Sequence, residues 1–205
     1  MKTLSYLHRF EPGSDASAPP LLLLHGTGGD ENDLVSLARQ LSPGSALLSP
    51  RGDVLEHGAP RFFKRFAEGV FDLADVEKRT HALADFIAAA SAHYGLAPGT
   101  LTALGFSNGA NIAASLLLLR PESLAHAVLL RPMVVLEPKT PPALAGKNVL
   151  ISSGAMDPIV PGDHPERLAN LFRAGGAHVE VHTHPASHGL AREDFAVTQR
   201  FLRPR

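Results

Sequence analysis

An α/β fold with a mostly parallel sheet is predicted by three features of the 205-residue chain. Short apolar runs bounded by Gly or Pro alternate with longer segments of helical spacing, the order expected of parallel strands joined by crossover helices. Apolar residues make up 44% and charged residues 19%, the balance of a globular chain and not of a disordered or fibrous one. The length suits one domain over residues 1–205, large enough to bury its own core, and the absence of cysteine removes disulfides, thiolate metal sites and a cysteine nucleophile together.

Taken in order, residues 4–10 read as an edge strand or hairpin, set off from the main body by the Pro-, Ser- and Ala-rich loop 11–20. An unbroken apolar run makes 21–25 the first buried strand, and a helix over 32–40 follows, with Asp30 or Asn32 as its cap. A strand is expected at 46–49 and a long helix at 73–94, closed by Gly95. The strand at 100–106 runs into a helix at 108–119 that Pro121 ends. Strands at 126–130 and 148–153 come next, then a helix at 165–174 with Asp163 as its cap and Gly175-Gly176 as its stop. A strand at 178–183 and a helix at 191–202 complete the series.

A net charge of −1 gives no field to attract nucleic acid or anionic lipid. The longest apolar runs fall far short of a membrane span, and residues 1–10 lack a leader pattern, so a cytoplasmic protein is expected. His178, His182, His184 and His188 cluster in sequence, but their alternation and the lack of a nearby acidic ligand argue against a metal site.

The sharpest signal is Gly105-Phe106-Ser107-Asn108-Gly109, a G-x-S-x-G lying between a strand and a helix whose first residues are small. A serine at the apex of such a turn sits on a strained backbone, and the flanking glycines lack the Cβ atoms that would collide as strand and helix close. The expectation is that Ser107 is a nucleophile. A serine hydroxyl then needs a base and a carboxylate to orient that base, in the chain order Ser, acid, His. His188, in the loop before the last helix, is the expected base, with His184 as its rival. Asp157, just past the strand at 148–153, is the expected acid, with Asp163 as the alternative. His25-Gly26-Thr27-Gly28-Gly29-Asp30 lacks the spacing of a nucleotide-binding loop and suits an oxyanion hole, formed by the Thr27 and Asn108 backbone N–H groups.

Four motifs, at 21–34 (LLLLHGTGGDENDL), 105–110 (GFSNGA), 154–161 (GAMDPIVP) and 187–190 (SHGL), stand in the order of the α/β-hydrolase superfamily. Within it the chain resembles the phospholipase/carboxylesterase family related to acyl-protein thioesterases. That resemblance implies an eight-stranded, mostly parallel sheet with helices on both faces, a Ser107–His188–Asp157 triad, and hydrolysis of small esters without a cofactor. Leu130-Arg131-Pro132-Met133 and Arg61-Phe62-Phe63-Lys64-Arg65-Phe66 are closer to the bacterial carboxylesterases of hydroquinone or ring-cleavage operons than to protein depalmitoylases.

Phe62, Phe63, Phe66 and Phe71 fall within ten residues and, with Met133, are candidates to wall a substrate pocket; burial in the core is the competing reading for the aromatics. The interleaved Arg61, Lys64 and Arg65 suit an acidic substrate or a solvated face. The spacing leaves little room for a lid, so an open, shallow site for short-chain acyl or small aromatic esters is expected. A lysophospholipase or thioesterase, an acyltransferase using the same triad, and a non-catalytic ligand-binding protein are the alternatives; a homodimer is left open.

Overall fold

The computed structural model describes residues 4–203; residues 1–3, the start of the N-terminal stretch read above, and 204–205 lie outside that range. In chain order the elements are β1 (His8–Glu11), β2 (Leu21–Leu24), α1 (Val35–Leu41), β3 (Leu47–Pro50), β4 (Val54–Glu56), β5 (Ala59–Arg61), β6 (Arg65–Ala67), β7 (Val70–Phe71), α2 (Leu73–Tyr94), β8 (Thr102–Phe106), α3 (Asn108–Leu119), β9 (His126–Leu130), β10 (Asn148–Gly154), α4 (His164–Ala174), β11 (His178–His184) and α5 (Arg192–Leu202). The main sheet runs β1-β3-β2-β8-β9-β10-β11, with β1 antiparallel to β3 and every other neighbouring pair parallel.

Side-chain alternation along the strands feeds two cores. Leu22, Leu24, Ala103, Ala127, Leu129, Val149 and Ile151 pack with α2, α3 and α4 on one face. Leu21, Leu23, Leu104, Val128, Leu130 and Leu150 pack with α1 and α5 on the other. Helices on both faces explain why β2 is four leucines in a row, all with no exposed area.

The sheet has seven strands among the described residues, not eight. Residues 5–7 do not extend β1; they turn so that Tyr6 enters the core against the Phe86 ring, 5.1 Å between centroids. Between β3 and α2 the chain builds two small hairpins, β4-β5 and β6-β7, which were not expected. The first turns through His57 and Gly58, both at positive φ (51° and 86°), the backbone of a two-residue hairpin loop. Arg61 lies 2.8 Å from Glu56 Oε2 and Arg65 pairs with Glu56 and Glu68, so these two cations are neutralised within the hairpins and do not present a free basic face.

Two expected caps are corrected. Asp30 Oδ1 accepts the Asn32 N–H (2.7 Å), turning the chain before α1, which starts at Val35 with Leu34 in the cap position and no side-chain cap. Asp163 does occupy the position before α4, but its carboxylate goes to Arg167 instead of the helix amides.

Candidate active site

The loops after β2, β8, β10 and β11 meet at the carboxyl ends of the parallel strands, where open α/β sheets form their ligand crevice. Ser107 sits between β8 and α3 at φ 51° and ψ −115°, a positive-φ conformation that is costly for a side-chain-bearing residue. Two bonds hold it there: its N–H donates to Leu130 O (2.8 Å), and its carbonyl accepts from Asn111 N–H (2.9 Å). The flanking glycine is required by a close approach, since a Cβ on Gly109 would lie 1.9 Å from Leu24 O.

His188 Nε2 is 2.9 Å from Ser107 Oγ, and His188 Nδ1 is 2.8 Å from Asp157 Oδ2. A carboxylate partner puts the ring proton on Nδ1, which leaves Nε2 to accept the serine hydroxyl proton. Burial alone would raise the Asp157 carboxyl, whose side chain is 1% exposed; the Ile159 N–H, His188 and Val160 N–H bonds overcome this and hold it below its ordinary value. Asp157 thus stays an anion beside the imidazole. The acid and histidine loops lie so close that a Cβ on Gly154 would meet Ala186 O at 2.3 Å and Ser187 O at 2.4 Å.

The two rivals lie elsewhere. His184 Nε2 is 3.9 Å from Asp194 Oδ1 and its ring stacks on His182, while Asp163 pairs with Arg167 on α4. Thr27 is exposed at the turn after β2, and Asn108 opens α3. Among the described residues the backbone hydrogen bonds of the glycine loop engage Gly28 N–H (to Pro60 O, 3.0 Å) and Gly29 N–H (to Gly26 O, 3.1 Å), but neither Thr27 N–H nor Asn108 N–H.

Of the five residues named for the pocket wall, Phe62 and Phe63 share one core cluster with Phe71 packed against it, whereas Phe66 stands apart. Phe62 is buried with its ring tilted on His25, Phe63 is buried edge-on to Phe71, Met133 is buried, and Phe66 projects from β6 with 76% of its surface exposed. Aromatic burial claims Phe63, and the hairpin carries Phe66 outward. Phe62 and Met133 are tied to the elbow helix through their backbones: Phe62 N–H donates to Asn108 Oδ1 (2.8 Å) and Met133 N–H to Asn111 Oδ1 (2.7 Å).

His25 was read only as part of a glycine loop, yet it carries that loop. Gly52 N–H donates to its Nε2 (2.9 Å), so Nδ1 carries the proton and donates to Gly26 O (2.7 Å). Burial lowers its pKa and keeps it neutral. Asn111 and Asp194 went unread, and Arg131 was read only as part of Leu130-Arg131-Pro132-Met133, because the contacts that give them their roles, Asn111 with Met133 N–H and Arg131 with Asp194, join residues distant in the sequence. Among the described residues no group of three or more His, Asp or Glu could hold a metal ion, and no helix is long and apolar enough to cross a membrane.

A family model described as phospholipase/carboxylesterase matches residues 8–204. MhqD of Bacillus subtilis, named as a hydrolase, is 44% identical over 187 residues, covering 91% of this chain and 92% of its own. Among solved structures, a Bacillus cereus carboxylesterase superposes with a TM-score of 0.93 at 42% identity, over 97% of this chain and 93% of that one. A carboxylesterase from Mesorhizobium loti gives 0.85 at 37% identity, over 92% and 90% of the two chains.

Proposed function

The chain belongs to the phospholipase/carboxylesterase family of hydrolases, and from that premise we propose that it is a serine carboxylesterase acting on short-chain acyl or small aromatic esters. The observation that carries the reading is the continuous path from Ser107 Oγ through the His188 ring to Asp157, built on a strained serine at the strand ends.

Ser107 Oγ attacks the ester carbonyl carbon as its proton passes to His188 Nε2, while Asp157 holds the Nδ1–H and balances the imidazolium. The carbonyl oxygen becomes an oxyanion facing the Thr27 and Asn108 N–H groups. Collapse breaks the bond to the alcohol, which leaves with the proton from Nε2, and Ser107 keeps the acyl group. Water, deprotonated by His188, attacks the acyl-enzyme, and a second collapse frees the acid and restores Ser107. The serine proton leaves on the alcohol, and the proton His188 takes from water replaces it on Ser107, so the cycle consumes only water besides the ester.

Substrate size is argued from what surrounds the elbow. The segment between β3 and α2 makes only two hairpins of two- and three-residue strands, and residues 131–147 between β9 and β10 carry no helix or strand. Neither amounts to a helical lid. The segments bearing Phe62 and Met133, fastened to α3 beside Ser107, are assigned the apolar side of the pocket. In a p-nitrophenyl ester series, kcat/KM is expected to be about tenfold or more higher for butyrate than for palmitate. A preference for the long chain would overturn the substrate assignment, and turnover retained in Ser107→Ala would overturn the mechanism.

A further inference from the structure

Arg131 combines three features. It follows β9 directly, next to Leu130 whose carbonyl holds the Ser107 amide; its φ is 58°, a left-handed conformation in a non-glycine residue; and its side chain has no exposed area. The guanidinium uses all five of its N–H donors. Nη1 donates to Asp194 Oδ1 (2.9 Å) and Ser152 O (3.2 Å), Nη2 to Asp194 Oδ2 (2.8 Å) and Gly189 O (3.0 Å), and Nε to Ser187 O (3.2 Å).

Ser187 and Gly189 are the residues on either side of His188, in a segment that belongs to no helix or strand. Asp194, in the first turn of α5, is itself buried at 2% side-chain exposure, and it also accepts from Ser152 Oγ (2.5 Å) and Ala191 N–H (2.7 Å). A bidentate carboxylate fixes the plane of the guanidinium, and the planar fork then aims its remaining donors in fixed directions. Two of these directions end on the peptides that bracket His188. The Ser107 amide hangs on Leu130, one residue earlier, so serine and histidine are both referred to the end of β9.

We propose that Arg131, with Asp194 as its anchor, is a positioning residue that clamps the Ser187 and Gly189 carbonyls and so sets His188 Nε2 toward Ser107. This rests on the Ser107–His188–Asp157 reading given above. The positive φ follows from the same role: a glycine would relieve the backbone but would supply no guanidinium. Lysine keeps the charge beside Asp194, but its compact ammonium cannot span a carboxylate and two separated carbonyls.

The test compares the full-length wild type with Arg131→Lys and with the double variant Arg131→Met/Asp194→Leu. The double variant removes both buried charges, so no unpaired ion is left to prevent folding. For each protein, kcat and KM are measured on a butyrate ester, the active fraction is titrated with a fluorophosphonate, and Tm is recorded. Per active site, kcat is expected to fall about 10- to 100-fold in both variants, with KM changed by less than about threefold, because a misaimed base slows chemistry without removing the binding surface. Either variant folding with kcat within about twofold of wild type overturns the proposal. A wild type that neither turns over esters nor labels at Ser107 overturns the esterase reading itself, so the two failures are told apart.

Discussion

Ser107 at φ 51° is supported on both sides, by Leu130 O and by the Asn111 amide, so its hydroxyl is presented to His188 without rearrangement. Single side chains should therefore divide sharply in their effects. His188→Ala is expected to lower kcat by about 10⁴- to 10⁶-fold and Asp157→Asn by about 10²- to 10⁴-fold. His184→Ala and Asp163→Ala should stay within about threefold of wild type, because neither side chain takes part in the hydrogen bonds that join Ser107, His188 and Asp157. Steady-state kinetics on a soluble ester checks all four, and near-complete loss in His184→Ala would reverse the assignment of the base. Ser107 was legible because G-x-S-x-G has fixed spacing between a strand and a helix, and Asp157 and His188 because they follow the strands that chain order requires. Arg131 and His25 were not, since Asp194 and Gly52 reach them only through the fold.

At the scale of elements, α2 and α3 carry their boundaries openly. Asp72 accepts the Asp75 amide (3.1 Å) at the start of α2 and Gly95 ends it at φ 71°, both local devices that a sequence displays. The hairpins β4-β5 and β6-β7 are hidden, because strands of two or three residues show no periodicity and His57 gives little sign of a positive φ. Among the described glycines, a Cβ would make its closest approach at Gly109, where α3 meets β2. A methyl group there would enter the Leu24 carbonyl, so Gly109→Ala should force helix and strand apart at a cost of about 3 kcal/mol. For a chain of this length that is a loss of roughly 6–12 °C in Tm, readable by calorimetry. An unchanged Tm would show that α3 can slide without loss.

For the whole molecule, acid stability is governed by groups the sheet holds in one protonation state. Burial lowers the pKa of His25, and also that of His164, whose Nδ1 accepts Val134 N–H. The unfolded chain therefore binds protons first, from about pH 6.5 downward, and stability falls as pH drops through that window toward the lower folded values. Asp194 has the opposite charge but the same slope. Burial would raise its carboxyl, but Arg131, the Ala191 amide and Ser152 hold it low, so its contribution is lost only below the ordinary carboxylate range. Denaturant unfolding followed from pH 7.5 to 5 should show stability decreasing on acidification, with a shallower slope in His25→Gln. Equal slopes would mean that His25 is not titrating. The α/β class, the two-faced packing and the seven strands of the main sheet were legible from the alternation of apolar runs and amphipathic segments, whereas the eighth strand implied by the family resemblance is not found among the described residues, and Tyr6 turns into the core instead of extending β1.

Treatment with a fluorophosphonate, followed by mass-spectrometric mapping of the adduct, tests the activation of Ser107 most directly, since the probe reports a base-activated serine without presupposing an ester. A single adduct on Ser107, lost in His188→Ala, is the expected result. A folded protein that takes no label, or takes it on another serine, would contradict the assignment of the nucleophile.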